Sequence, residues 1–241
     1  MARQLQHIIE PPRACAYLPR ASASLEVRVL LDVSPKELDA MLERGWRRFG
    51  PCYFRPACSP CGECVTLRIV VDAFTPNKSQ RRAAKATAHL RRIVSRPTVD
   101  DERLALYARW HGDREHVRGW EASSIDADRY RTDFAFPHPC AREVAFYDGP
   151  KLVGVGICDE TPRAFSAVYF YYDPDYASLS LGTANVVALV DDAQRTGRPH
   201  VYLGYRVAGC ASLAYKGAFR PHELLVGRPS FENEPEWRSG A

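Results

Sequence analysis

The chain has 241 residues, 46% of them hydrophobic, with a formal net charge of +4, enough apolar material for one large globular core or two small ones. No apolar run approaches the roughly 20 residues that a membrane-spanning helix needs. The opening MARQLQHIIEPPRACAYLP lacks the apolar core of a secretory signal, so no membrane association and a cytoplasmic location are the expectation.

Ser24–Val33, SLEVRVLLDV, alternates as a strand does. The next stretch, SPKELDAMLERG, carries helix signals at both ends. Ser34 is the N-cap, Pro35 takes the first helical position, Glu37 completes a capping box and Gly45 is the stop. WRRFGPCYFRP and CVTLRIVVDAF read as two strands joined by a cysteine-rich loop. Residues 1–74 thus form a small strand-rich unit around one helix.

From Lys78 to Arg96 the sequence KSQRRAAKATAHLRRIVSR holds Lys78, Arg81, Arg82, Lys85, Arg91, Arg92 and Arg96 without an acid. Its Ala, Arg and Lys density predicts a helix over Ser79–Val94. A block of one sign points to an anionic partner, or to a solvated helix balanced by acids elsewhere in the fold. After Pro97, DDERLALYARWHGDR predicts a second helix with Leu104, Tyr107 and Trp110 on one face. EASSIDADRYRTD reads as a loop or short irregular helix, a lid or linker, and residues 75–141 make a helical connection.

Residues 142–241 follow a tidier pattern. REVAFYD and KLVGVGICDE are strands joined by a tight turn at Asp148-Gly149-Pro150, and AFSAVYFYYD is a third strand. LGTANVVALVDDAQRTG is a helix, HVYLGYRV a strand, CASLAYKGAF a short helical turn and HELLVG a last strand. SFENEPEWRSGA is polar and is expected to fray. The fold class is therefore α+β, a small cysteine-containing unit followed by a domain with a mixed sheet. The order of hairpin, strand, glycine turn, helix and strand resembles the Gcn5-related N-acetyltransferase (GNAT) fold. There, a helix N-terminus cradles a pyrophosphate or a developing negative charge. Gly182 and Ala184 give room for close approach. Acetyl-CoA loops of that fold carry Gln or Arg three residues before the first glycine, and Leu179 stands here.

YYDPDYASLSLG, VYLGYRVAGC, LAYKGAFRPHELL and, upstream, YFRPACSPCGECVTLRI followed by SQRR together resemble the arginyl-tRNA-protein transferase family, from CAYLP at Cys15 to about Leu225. Chain length and the RPACSPCGEC loop are similar to its bacterial branch, the aspartate/glutamate leucyltransferases. The resemblance implies transfer of leucine or arginine from an aminoacyl-tRNA to the α-amino group of proteins beginning with Asp or Glu, producing a degradation signal. Such aminolysis needs a neutral amine near the ester carbonyl and a stabilised oxyanion, and no cofactor.

Under that reading Asp173 and Asp175 orient the incoming ammonium and take its proton, against the plainer reading of DPD as a polar turn. Ser180, Leu181, Gly182 and Thr183 offer the acyl ester a helix N-terminus, or simply cap the helix. Arg206, Lys216 and Arg220 are candidate cations for the acidic side chain. Tyr172, Tyr202, Tyr205 and Tyr215 are candidates to stack on the terminal adenine or close the pocket. Lys78, Arg81, Arg82, Lys85, Arg91 and Arg92 would track tRNA phosphates.

The eight cysteines do not suggest a disulfide framework in a cytoplasmic chain of this size. Cys58, Cys61 and Cys64 have ligand spacing, and Cys15 is a fourth thiolate for zinc or an iron–sulfur cluster; reduced cysteines packing a tight loop are the alternative. Eukaryotic members have a C-x-x-C at the first position, where Leu18 stands here, and an adjacent cysteine pair at the second. Two other functions compete: an acetyl-CoA-dependent GNAT N-acetyltransferase, and a non-catalytic RNA-binding or iron–sulfur sensor module. Oligomeric state has no signal in the sequence.

Overall fold

A computed structural model describes residues 2–118 and 125–240. The chain opens with β1 (Arg3–Ile9), a small ribbon of β2 (Arg13–Ala14) and β3 (Ser22–Ala23), and β4 (Leu25–Leu31). α1 (Pro35–Glu43) has the start its sequence predicts: the Glu37 amide donates to the Ser34 hydroxyl and the Ser34 amide to the Glu37 carboxylate. Leu38, Met41 and Leu42 recur at helical spacing and bury against Trp46 and Tyr53. β5 (Arg47–Phe49) and β6 (Cys52–Pro56) form a hairpin turning at Gly50, where φ is +51° and a Cβ would lie 1.9 Å from the Thr132 carbonyl oxygen. These strands make an antiparallel sheet ordered β1–β4–β6–β5.

Next come β7 (Val65–Val70), α2 (Lys78–Ala86), β8 (Arg91–Ser95), α3 (Asp101–Arg118) and α4 (Ala127–Asp133). The hairpin of β9 (Ala141–Asp148) and β10 (Lys151–Glu160) leads to β11 (Ala164–Tyr172), a 3-10 turn (Pro174–Leu179) and α5 (Leu181–Arg195). β12 (His200–Arg206), α6 (Ala211–Ala214), a second 3-10 turn (Tyr215–Ala218), β13 (His222–Leu225) and β14 (Trp237–Ser239) complete the order. Eight strands build one mixed sheet ordered β14–β13–β7–β12–β11–β10–β9–β8, with β11 and β12 parallel and the other pairs antiparallel. The fold is α+β with the expected order of hairpin, strand, helix and parallel strand.

Helices cover both faces of this sheet. α5 buries Leu181, Val186, Val187, Leu189 and Val190 against Leu67, Ile69, Val153 and Val201. On the other face Leu106, Tyr107 and Trp110 of α3 and Tyr130 of α4 pack on Val155, Ile157 and Tyr171. Among the described residues no helix is long and apolar enough to cross a membrane.

Three sequence expectations change. The basic helix ends at Ala86, where Thr87 Oγ1 bonds back to the Ala83 carbonyl, and Arg91–Ser95 is an edge strand. β-branched Ile93 and Val94 pair there with Ala145 and Val144. The C-terminal stretch is held as β14 against β13, with the Arg68 guanidinium 4.0 Å above the Trp237 ring. Finally, β7 leaves the N-terminal stretch to lie between β12 and β13, its Leu67 and Ile69 wholly buried, so the large sheet draws on all three stretches of the chain. Of the stretch read as a lid or linker, residues 121–124 lie outside the described residues and 127–133 form α4.

Candidate active site

β11 and β12 pair only from Ala164 to Ser166 and from His200 to Tyr202, yet β11 runs on to Tyr172 and β12 to Arg206. Beyond the ladder they part, and a cavity of about 640 Å³ opens between them. Arg47 reaches into this gap from β5. Its guanidinium donates to Ser166 Oγ at 3.1 Å and to the Ala167 carbonyl, beside the point where the ladder stops. It also lies against Gly204, where φ is +74° and a Cβ would be 3.1 Å from the guanidinium carbon. A side chain at residue 204 would displace Arg47.

The turn after β11 is built by Asp173. Its carboxylate accepts from the Asp175 amide at 3.1 Å and caps the 3-10 turn. Ser180 then takes a left-handed conformation, φ +56° and ψ +45°, and starts α5 without a side-chain cap. The Leu181 and Gly182 amides therefore begin the helix with no cap from Ser180 and no acid in the first turn. Ser180, Gly182 and Thr183 line the cavity, whereas Leu181 is fully buried in the core.

The predicted acids lie elsewhere. Asp173 is 1% exposed and paired to Lys151 Nζ at 2.7 Å and to Arg109 at 2.9 Å; Arg109 also meets Asp175 at 3.1 Å. Burial alone would push the Asp173 carboxyl up, but the Lys151 hydrogen bond, the Asp175 amide and Arg109 hold it below the ordinary carboxylate range. Neither acid is among the lining residues.

What lines the cavity is cationic and aromatic. Arg47, Arg114 and Lys216 face it together with Tyr17, Trp110, Tyr172, Tyr205 and Tyr215, and no described lining residue is a carboxylate. Arg114 donates to the Tyr172 hydroxyl at 2.8 Å and Lys216 Nζ to the Tyr205 carbonyl at 2.9 Å. Burial, and then the nearby Arg47 charge, bring the Lys216 ammonium down to about 7. Tyr205 spends its hydroxyl on the Gly45 and Phe54 carbonyls. Tyr202 lies in the core beside Arg68, and Arg206 and Arg220 pack around Gly217, outside the cavity wall.

Sequence reasoning missed Arg47, Arg114, Tyr17 and Asn185. Two carried a signal: Arg47 is a charge within an aromatic strand, and Asn185 interrupts the apolar run of α5.

Cys15, Cys58, Cys61 and Cys64 are free thiols. They gather closely enough that burial, followed by the Cys58, Cys15 and Cys61 thiols, pushes Cys64 up to about 11. Arg228 ties their loop by bonds of 2.7 Å to the Cys58 and Cys61 carbonyls. Among the described residues no group of three His, Cys, Asp or Glu side chains is arranged to hold a metal ion. Lys78, Arg81, Arg82 and Lys85 stand exposed on α2, whose buried Gln80 donates to the Ala218 carbonyl at 3.1 Å, in the turn that carries Lys216. Arg91 and Arg92 do not share that helix: Arg91 covers the Tyr147 ring and Arg92 pairs with Asp192.

A family model for the N terminus of arginine-tRNA-protein transferase matches residues 13–82, and one for its C terminus matches residues 102–226. The chain is 32% identical over 231 residues to an aspartate/glutamate leucyltransferase of Campylobacter jejuni (strain 81-176), covering 92% of this chain and 94% of the relative. Against the aspartate/glutamate leucyltransferase of Chromohalobacter salexigens it is 34% identical over 236 residues, covering 95% and 93%. The crystal structure of FemX superposes with a TM-score of 0.45 at 9% identity over 78% of each chain.

Proposed function

The chain belongs to the arginine-tRNA-protein transferase family and is an aminoacyl-tRNA-protein transferase; from that premise we propose that it moves leucine from leucyl-tRNA to the α-amino group of proteins beginning with Asp or Glu. The donor and acceptors are those in the names of its relatives. The observation that carries the reading is the cavity itself, which joins an uncapped helix N-terminus to Arg47, Arg114 and Lys216 and offers no carboxylate among its described lining residues. Such a site favours an acceptor with a negative side chain.

The same charges assist the chemistry. An α-ammonium titrates near ~8 in water, and neighbouring cations favour its neutral, nucleophilic form. The amine nitrogen attacks the ester carbonyl carbon; a C–N bond forms, the C–O bond to the terminal ribose breaks, and the proton leaving nitrogen ends on the ribose hydroxyl. Negative charge on the carbonyl oxygen falls to the Gly182 amide, which lines the cavity at the positive end of α5. Asp173 and Asp175 support this end from outside the cavity by fixing the turn. No step is assigned to Cys15, Cys58, Cys61 or Cys64, because ester aminolysis consumes neither electrons nor a metal-bound water.

Exposed Tyr215 and half-buried Tyr172 offer faces for the terminal adenine, and the cations of α2 offer contacts to the tRNA backbone. The acting location is the cytoplasm, where the added leucine serves as a degradation signal. Incubating the protein with leucyl- or arginyl-tRNA and peptides beginning with Asp, Glu or Lys, read by mass spectrometry, tests the proposal. Leucine on the Asp and Glu peptides is the expected result. Arginine addition would reassign the donor, and modification by acetyl-CoA alone would overturn the reading.

A further inference from the structure

Asn185 lies on α5 among buried Leu181, Ala184, Val186 and Val187. It is 4% exposed and lines the cavity, yet its Oδ1 has no hydrogen-bond partner among the described residues. Buried amide groups are nearly always partnered, so one left without a partner beside a cavity is unusual. β10 makes space for it: a Cβ on Gly156 would come within 2.8 Å of Asn185 Oδ1 and 3.2 Å of its Cγ. Sheet and helix together hold a polar group that the fold itself does not use.

We propose that Asn185 reads the free α-amino group of the aminoacyl ester, admitting donors that carry an amine and disfavouring acyl groups without one. The inference rests on the transferase reading above. In an aminoacyl ester the carbonyl oxygen is served by the N-terminus of α5 at Gly182, which leaves the α-amine in need of an acceptor. Arg47, Arg114 and Lys216 have no lone pair to offer while protonated, and no described lining residue is a carboxylate. The amide oxygen of Asn185 fills that need, and a half-turn of the amide group presents it to the cavity. Its position suits the donor rather than the acceptor. Asn185 shares α5 with Gly182 and Thr183, and apolar Val186 and Leu203 line the same cavity, a fitting wall for a leucyl side chain. Arg47 and Lys216 instead stand along β12, against Gly204 and Tyr205.

The test compares leucyl-tRNA with its des-amino analogue, 4-methylpentanoyl-tRNA, as donors to an Asp-starting peptide. The wild-type protein is expected to favour leucyl-tRNA by about 10- to 100-fold in kcat/KM, the range of one buried hydrogen bond made or lost. Asn185→Leu, which keeps the volume and removes the acceptor, is expected to bring the ratio close to one while leaving the KM for the peptide unchanged. Gly156→Ala, which crowds the amide without altering Asn185, is expected to lower the same ratio. Because a merely structural role would slow both donors alike, an unchanged ratio in a folded variant overturns the assignment. So does a wild-type protein indifferent to the amine. No transfer from leucyl-tRNA by the wild-type protein would instead sink the transferase reading beneath it.

Discussion

At the scale of single residues the site depends on where charge is free and where it is committed. Lys216, brought down to about 7 from the ordinary lysine value, is a cation below that pH and increasingly neutral above it. Its hold on an acceptor carboxylate therefore weakens as pH rises. The kcat/KM preference for an Asp peptide over the matching Asn peptide is expected to fall roughly 10-fold between pH 6 and 8.5, a profile that reports the free enzyme. Lys216→Arg, always charged, is expected to keep the preference flat over the same range. Asp173 is committed. Its lowered pKa means that its stabilising effect is complete above the ordinary aspartate value and is lost as pH falls through the folded value. Because Lys151 and Arg109 are about half exposed, the ion pairs are screened, and Asp173→Asn is expected to cost about 1–2 kcal/mol in urea unfolding. A variant of full stability with a collapsed kcat would return Asp173 to the chemistry.

At the scale of elements, α2 and the cysteine loop make separate predictions. Replacing Arg81 or Arg82 by Glu is expected to raise the KM for tRNA several-fold with little change in kcat. Each lost phosphate contact should lower the salt dependence, as log–log slope, by about 0.7–0.9. Arg92→Ala, which breaks the pair with Asp192, is expected to reduce stability and leave that slope alone. In the loop, burial and the neighbouring thiols push the Cys64 thiol up to about 11, so its alkylation is expected to be slow at pH 8 and to go on accelerating beyond pH 10, which mass spectrometry of partly labelled protein would show. Elements written by local signals were legible in the sequence. The capping box of α1 is an example, set by Ser34 and Glu37 three positions apart. The end of α2 was not, because Ile93 and Val94 become a strand only by pairing with β9, which lies some fifty residues further on. Arg47 carried only the signal of a charge in an aromatic strand, which Arg48 shares, and its place in the site was hidden for the same reason. Its Ser166 partner is 119 positions away, and no local pattern distinguishes it from Arg48, which faces Asp159.

For the whole molecule, the position of β7 decides what can be removed. β7 pairs with β12 over six residues and with β13 over three, so residues 142–241 alone would lack the strand between their own last elements. That fragment is expected to show no cooperative thermal transition by circular dichroism, and a native-like melt would refute the dependence. The order of synthesis adds a further consequence. β7 ends at Val70, whereas β12, the first of its two neighbours to be made, begins at His200, and at about 5–20 residues per second a ribosome takes roughly 7–26 seconds to travel between them. During that interval Leu67 and Ile69, wholly buried in the finished protein, have neither neighbour to cover them. A nascent chain with an apolar strand waiting for its partners is a substrate for holding chaperones, and a pause before β12 would prolong that dependence.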